Sequence, residues 1–82
     1  MSLNLDTLRA DLIAELERVS EKAYRYQLRA ASTRGTPVSA SYRRMAADMW
    51  TDVVQAREAS LAGDAYRMAV ECDNLRGYNS DD

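Results

Sequence analysis

Apolar side chains recur in steps of three and four through the first third of the chain, at Leu5, Leu8, Leu12, Leu16, Val19, Ala23, Tyr26 and Ala30. That spacing follows the 3.6-residue helical turn and predicts one amphipathic helix about 25 residues long, roughly 40–45 Å at 1.5 Å per residue. Residues 4–34 carry no Pro or Gly, and Asn4 or Asp6 can cap the start. Acids dominate the first half of this segment (Asp6, Asp11, Glu15, Glu17, Glu21) and cations the second (Lys22, Arg25, Arg29, Arg34), an order that suits the helix dipole. The run Ser32-Thr33-Arg34-Gly35-Thr36-Pro37-Val38-Ser39 then breaks the helix. Gly35 suits the position just past a helix end, and Pro37 cannot continue the preceding helix. Thr36, Ser39 and Ser41 are alternative caps for the next helix.

That second helix is predicted to run to about Ala62 with two apolar stripes. Tyr42, Met45, Met49, Val53 and Ala56 form the main one; Ala47, Trp50, Val54 and Leu61 form another about 100° around the axis. Two apolar faces call for two neighbours. Gly63-Asp64 punctuates next, and Ala65, Met68, Cys72 and Leu75 make a short third stripe. The expected fold is all-α, a small three-helix bundle with a long helix 1, helix 2 and a short helix 3, the outer two packing on the two faces of helix 2. The alternative is a helical hairpin, continuous through Gly63, that dimerises to cover its second face. Residues 1–76 read as one helical domain and 77–82 as a frayed polar tail.

Composition narrows this picture. Leu, Ile and Val total 14 of 82 residues and Phe is absent, so the core is thin and leans on Ala, Met, Tyr and one Trp. A chain of this size buries only about 60% of its surface and gains from a second copy or a partner. No apolar run approaches a membrane span, and no charged-then-apolar leader opens the chain, so a cytoplasmic protein without membrane contact is expected. One cysteine makes no internal disulfide, and the absence of histidine removes both the usual general base and a Cys/His metal site. The three glycines stand apart, so there is no phosphate loop. No catalytic, cofactor or metal residue is assigned, and an enzyme is not expected. Cys72 lies on the inward stripe and reads as a small core hydrophobe, the alternative being a redox or dimer-linking thiol.

The candidate chemistry is that of a binding surface. Tyr24 and Leu28 sit one turn apart on helix 1, with Ala31 beside them and Ile13 further up, on a face well away from the core stripe. Tyr66 and Val70 fall off the stripe of helix 3 and are weaker candidates. Trp50 reads either as core packing against helix 3 or as an interface anchor. Residues 22–44 hold Lys22, Arg25, Arg29, Arg34, Arg43 and Arg44 with no acid. Arg18, Lys22, Arg25 and Arg29 step by four, three and four into one basic row. Arg43 and Arg44 oppose the dipole early in helix 2 and, with Arg29, Arg34 and Tyr42, make the hairpin apex electropositive. Net charge is nevertheless −2 and the pI about 5.0, which argues against nucleic acid as a direct ligand.

The segment Leu61-Ala62-Gly63-Asp64-Ala65-Tyr66 resembles the Gly-Asp turn of tetratricopeptide-like hairpins. The resemblance covers a handful of residues, the flanking spacing departs from that repeat, and nothing is carried over from it. The expected function is a non-enzymatic protein-protein interaction module, a stoichiometric inhibitor or adaptor acting on a larger nucleic-acid-handling complex. By compositional analogy alone it is similar to phage and mobile-element inhibitors such as anti-CRISPR proteins. Partner contacts are expected at Tyr24, Leu28, Ala31, Arg25, Arg29, Arg43, Arg44 and Trp50. Weak sequence-independent nucleic-acid binding by the basic apex and a structural homo-oligomer are the alternatives.

Overall fold

A computed structural model describes residues 4–78. They form three helices, α1 (Leu5–Ser32), α2 (Pro37–Ala62) and α3 (Ala65–Arg76), with no strand among the described residues. Each helix starts on a side-chain cap. The Asn4 carboxamide oxygen accepts from the Asp6 and Thr7 amides at 3.0 and 3.2 Å. Thr36 Oγ1 accepts from the Ser39 amide at 3.3 Å with Pro37 in the first turn, which settles the choice among the three candidate caps. Asp64 Oδ1 accepts from the Arg67 amide at 3.2 Å. These bonds satisfy amide donors that a helix leaves orphaned at its start. Gly63 ends α2 in the left-handed region at φ 68°, its amide bonded to the Ala59 and Ser60 carbonyls. A side chain is strained at that φ, so the helix stops there and the continuous α2–α3 alternative is not adopted.

The chain is thus an all-α three-helix bundle, and every pair of helices is in contact. The core joins Leu12, Val19, Ala23 and Tyr26 of α1 to Ala46, Met49, Val53, Ala56 and Ala59 of α2 and to Met68, Cys72 and Leu75 of α3. The buried alanines keep side-chain bulk low where the helices approach. One expectation is corrected: α2 is not sandwiched between the other two. The 12-residue α3 touches both α1 and α2 through one narrow stripe. The second stripe of α2 is therefore left outside, with Ala47 and Val54 exposed and Leu61 82% exposed. Met45, assigned to the main stripe, is also exposed, and the core takes Ala46 instead.

The end of α3 is pinned rather than loose. The Arg18 guanidinium donates to the Tyr78 carbonyl at 2.6 Å and the Leu75 carbonyl at 2.9 Å, and its Nε to Glu15 at 2.8 Å. A cation on the carbonyl end of a helix meets both its unpaired acceptors and its dipole. The Tyr78 hydroxyl donates to Asp52 Oδ2 at 2.5 Å, which ties α3 to α2. Gly77 and Tyr78, read from the sequence as the start of a frayed tail, are thus held; residues 79–82 lie outside the described residues. Burial, followed by the Asp52 hydrogen bond, pushes the Tyr78 phenol up to about 12. The fold favours the neutral phenol, so this contribution is complete below the ordinary value near 10 and is lost as pH rises from there through about 12. Subtracting the 295 nm absorbance titration of Tyr78→Phe from that of wild type should reveal one tyrosinate forming about two pH units late; a difference curve centred near 10 would contradict the contact.

At 12 residues α3 is about 18 Å long against about 42 Å for the 28-residue α1, so it cannot cover the whole hairpin. The apex half is closed by side chains. Tyr26 and Tyr42 meet edge to face at 5.5 Å, and the Arg29 guanidinium lies 5.1 and 5.9 Å from their centroids. Buried Lys22 places its ammonium 5.6 Å from the Tyr26 ring, and Ser39 Oγ donates to the Ala30 carbonyl at 2.7 Å. Cations over aromatic faces are attractive and bring their aliphatic stems as cover. The molecule measures 51 × 22 × 14 Å and exposes 5454 Å². A compact protein of 9.2 kDa exposes about 4,900 Å², so a thin slab leaves roughly a tenth more surface uncovered.

Candidate interaction surfaces

The residues singled out in the sequence separate into two surfaces and a structural set. Tyr24 (57% exposed), Leu28 (53%) and Ala31 share the outward face of α1, with Ile13 also exposed. At 100° per residue this face lies about 110–170° around α1 from the middle of the flank of Glu15 and Arg18 that meets α3. The second surface is the outward stripe of α2, made by Arg43, Ala47, Trp50, Val54, Arg57 and Leu61, opposite Asp52 and its bond to α3. Trp50 is half-buried against the core, and its indole N–H is enclosed without an acceptor. By helical phase it sits on the flank away from α3, so it does not pack on helix 3 as one reading of the sequence had it. Trp50, Thr51, Val54, Gln55 and Glu58 border an open hollow of about 460 Å³ along this stripe.

The basic row is mainly structural. Arg18 holds α3, Lys22 is buried, and Arg29 stacks on two tyrosines. Arg25 pairs with Glu21 at 3.5 Å. Sequence reasoning saw these cations as one charged face and missed their packing role. The signal was present in Lys22 and Arg29, which flank Tyr26 at i−4 and i+3, spacings at which helical side chains meet. Arg43 and Arg44 are exposed. With α2 starting at Pro37 they occupy its second turn, beyond the first turn where the dipole acts, so they cost less than the sequence implied.

Cys72 is 2% exposed, and burial, the largest influence, raises its thiol pKa. A buried protonated thiol is a poor nucleophile, which favours the core reading over the redox one. Among the described residues no group of three His, Cys, Asp or Glu is placed to hold a metal, and no helix is long and apolar enough to cross a membrane. Asp52, one turn from Asp48, is engaged by Tyr78. No protein-family model, curated protein or solved structure matches this chain.

Proposed function

We propose that this chain is a non-enzymatic interaction module that docks on a larger protein through the outward face of α1, acting as a stoichiometric inhibitor or adaptor. The observation that supports this most directly is the pairing of Tyr24 and Leu28, each more than half exposed, one turn apart on a face that no other helix covers. Single exposed hydrophobics are ordinary on a monomer, whereas contiguous ones mark contact sites. Arg43 and Arg44 add an exposed positive charge pair near the apex, which suits an acidic protein surface and accelerates encounter more than it tightens the complex. Arg29 and Lys22, occupied on Tyr26, leave fewer cations for phosphates than the sequence suggests, which weighs against the nucleic-acid reading.

The test compares wild type with Leu28→Asp as immobilised bait in extract from the native host. The expected result is one acidic protein retained in stoichiometric amount by wild type and lost by Leu28→Asp, with superimposable thermal melts. With that partner purified, Arg43→Glu plus Arg44→Glu should slow association several-fold at low salt and leave the melting temperature unchanged. Equal retention by both baits would refute docking on this face. Salt-sensitive binding to labelled DNA or RNA, with no protein retained, would transfer the assignment to the apex.

A further inference from the structure

We propose that the outward stripe of α2 is a self-association seam, through which two copies pair α2 against α2 in antiparallel register. This inference does not involve the α1 face of Tyr24 and Leu28; it shares only Arg43 and Arg44 with the proposed docking. Arg43, Ala47, Trp50, Val54, Arg57 and Leu61 step by 4, 3, 4, 3 and 4 residues, the a/d spacing of a coiled-coil strip. Ala47, Val54 and Leu61 are exposed on it, and Trp50 is half-buried. One flank of the strip, at Ala46, Val53 and Ser60, turns toward the protomer's own core. The other flank, at Arg44, Thr51 and Glu58, is exposed along its length.

The identity of the occupant follows from the symmetry of this exposed flank. Read forward it carries a cation, a neutral residue and an anion; read backward on a second copy it carries an anion, a neutral residue and a cation. An antiparallel pair therefore places Arg44 against Glu58 of the second copy, Glu58 against its Arg44, and Thr51 against Thr51 at the two-fold axis. A parallel pair would instead set this flank against Ala46, Val53 and Ser60 of the other copy, none of which carries a charge, and would leave Arg44 and Glu58 unmatched. The apolar strip fits the same register: Trp50 falls over Val54 of the other copy, Ala47 gives room for Arg57, and Leu61 meets the stem of Arg43. A closed two-fold contact of this kind is self-complementary and cannot propagate into a filament. Among the described residues no ion pair engages Arg43, Arg44, Arg57 or Glu58 within the protomer, so none has to be broken. The hollow between Trp50, Val54 and Glu58 is the space the facing Trp50 and Val54 side chains would fill. The strip is only about 27 Å long and has an arginine at two of its six positions, so the dimer is weak, in the class of small transient interfaces.

Sedimentation equilibrium from about 10 µM to 1 mM is the primary measurement, spanning the range where weak contacts of this size associate. Wild type should move from monomer to dimer across that range, and Val54→Glu should stay monomeric with an unchanged melt, since residue 54 lies outside the core. Arg44→Glu and Glu58→Arg should each raise the dissociation constant about three- to tenfold, and the two combined should restore it, because the double exchange recreates the pair with its sign reversed. Thr51→Cys should form a disulfide-linked dimer under mild oxidation while Tyr66→Cys on α3 does not; buried Cys72 stays silent in both. A strict monomer at 1 mM, a dimer indifferent to Val54→Glu, or one abolished by Leu28→Asp alone would overturn the proposal. So would a double exchange that fails to restore association.

Discussion

Truncating Leu12 to alanine should lower the stability of the domain by about 3 kcal/mol, the middle of the range for fully buried leucines. Leu12 has no exposed surface and belongs to the core that all three helices share. The loss combines the transfer energy of the missing carbons with the cavity they leave. The core cluster that holds Leu12 includes Ala23, Ala46, Ala56 and Ala59, small side chains that have little reach to fill a hole. For a domain this small the change corresponds to a melting temperature about 12–24 °C lower. Leu61→Ala is the matched control: the same deletion at an 82% exposed site should change stability by less than about 0.5 kcal/mol. Equal effects at the two positions would mean that the core is not where the structure puts it.

The second large effect is expected at Arg18. Replacing it with methionine keeps the aliphatic stem and removes the fork that donates to the Leu75 and Tyr78 carbonyls. Hydrogen bonds from a charged donor contribute about 1.5–3 kcal/mol each, but this side chain is 28% exposed and water replaces part of the loss, so about 2 kcal/mol in total is expected. The damage should be local. Amide exchange should accelerate first over residues 72–78, and the Tyr78 phenol should move down from about 12 toward its ordinary value near 10 as it loses its enclosure. Arg18→Lys keeps the charge but supplies no planar fork, and should recover only part of the loss. Uniform acceleration across all three helices would show instead that Arg18 supports the whole bundle rather than the end of α3.

Arg18, Lys22 and Arg29 show why the candidate surface was only partly legible. Charge and spacing place them in one row, and a row of cations on a helix reads as solvated. They stand at the margin of the apolar stripe, however, and a margin is wet or covered depending on what packs beside it. Here α3 ends level with Arg18, so Arg18 caps it, while further along no third helix is present and Lys22 and Arg29 lie down over Tyr26. Tyr24 and Leu28 were the easier case. Their face is opposite the core stripe of α1, and no arrangement of two further helices against that stripe would reach it. Trp50 and Val54 were harder, because an apolar stripe at 100° to the core stripe is equally compatible with a third helix, a second copy or water.

Local chemistry, acting through residues near in sequence, was enough to mark three helical segments and the breaks at Gly35 and Gly63, since periodicity and turn signals depend only on neighbours within a turn or two; the structure chose Asn4 and Thr36 among the candidate caps and ended α1 at Ser32, with Thr33 as its cap, before Gly35 is reached. Tertiary structure alone decided which side of α2 would receive α3, and so which apolar stripe stayed outside. The short stripe of Met68, Cys72 and Leu75 is buried most fully in the groove between two helices, where it is enclosed from both sides and where Arg18 and Asp52 receive the end of the chain. Burial is a property of the assembled neighbourhood, and no linear pattern of hydrophobic positions contains it.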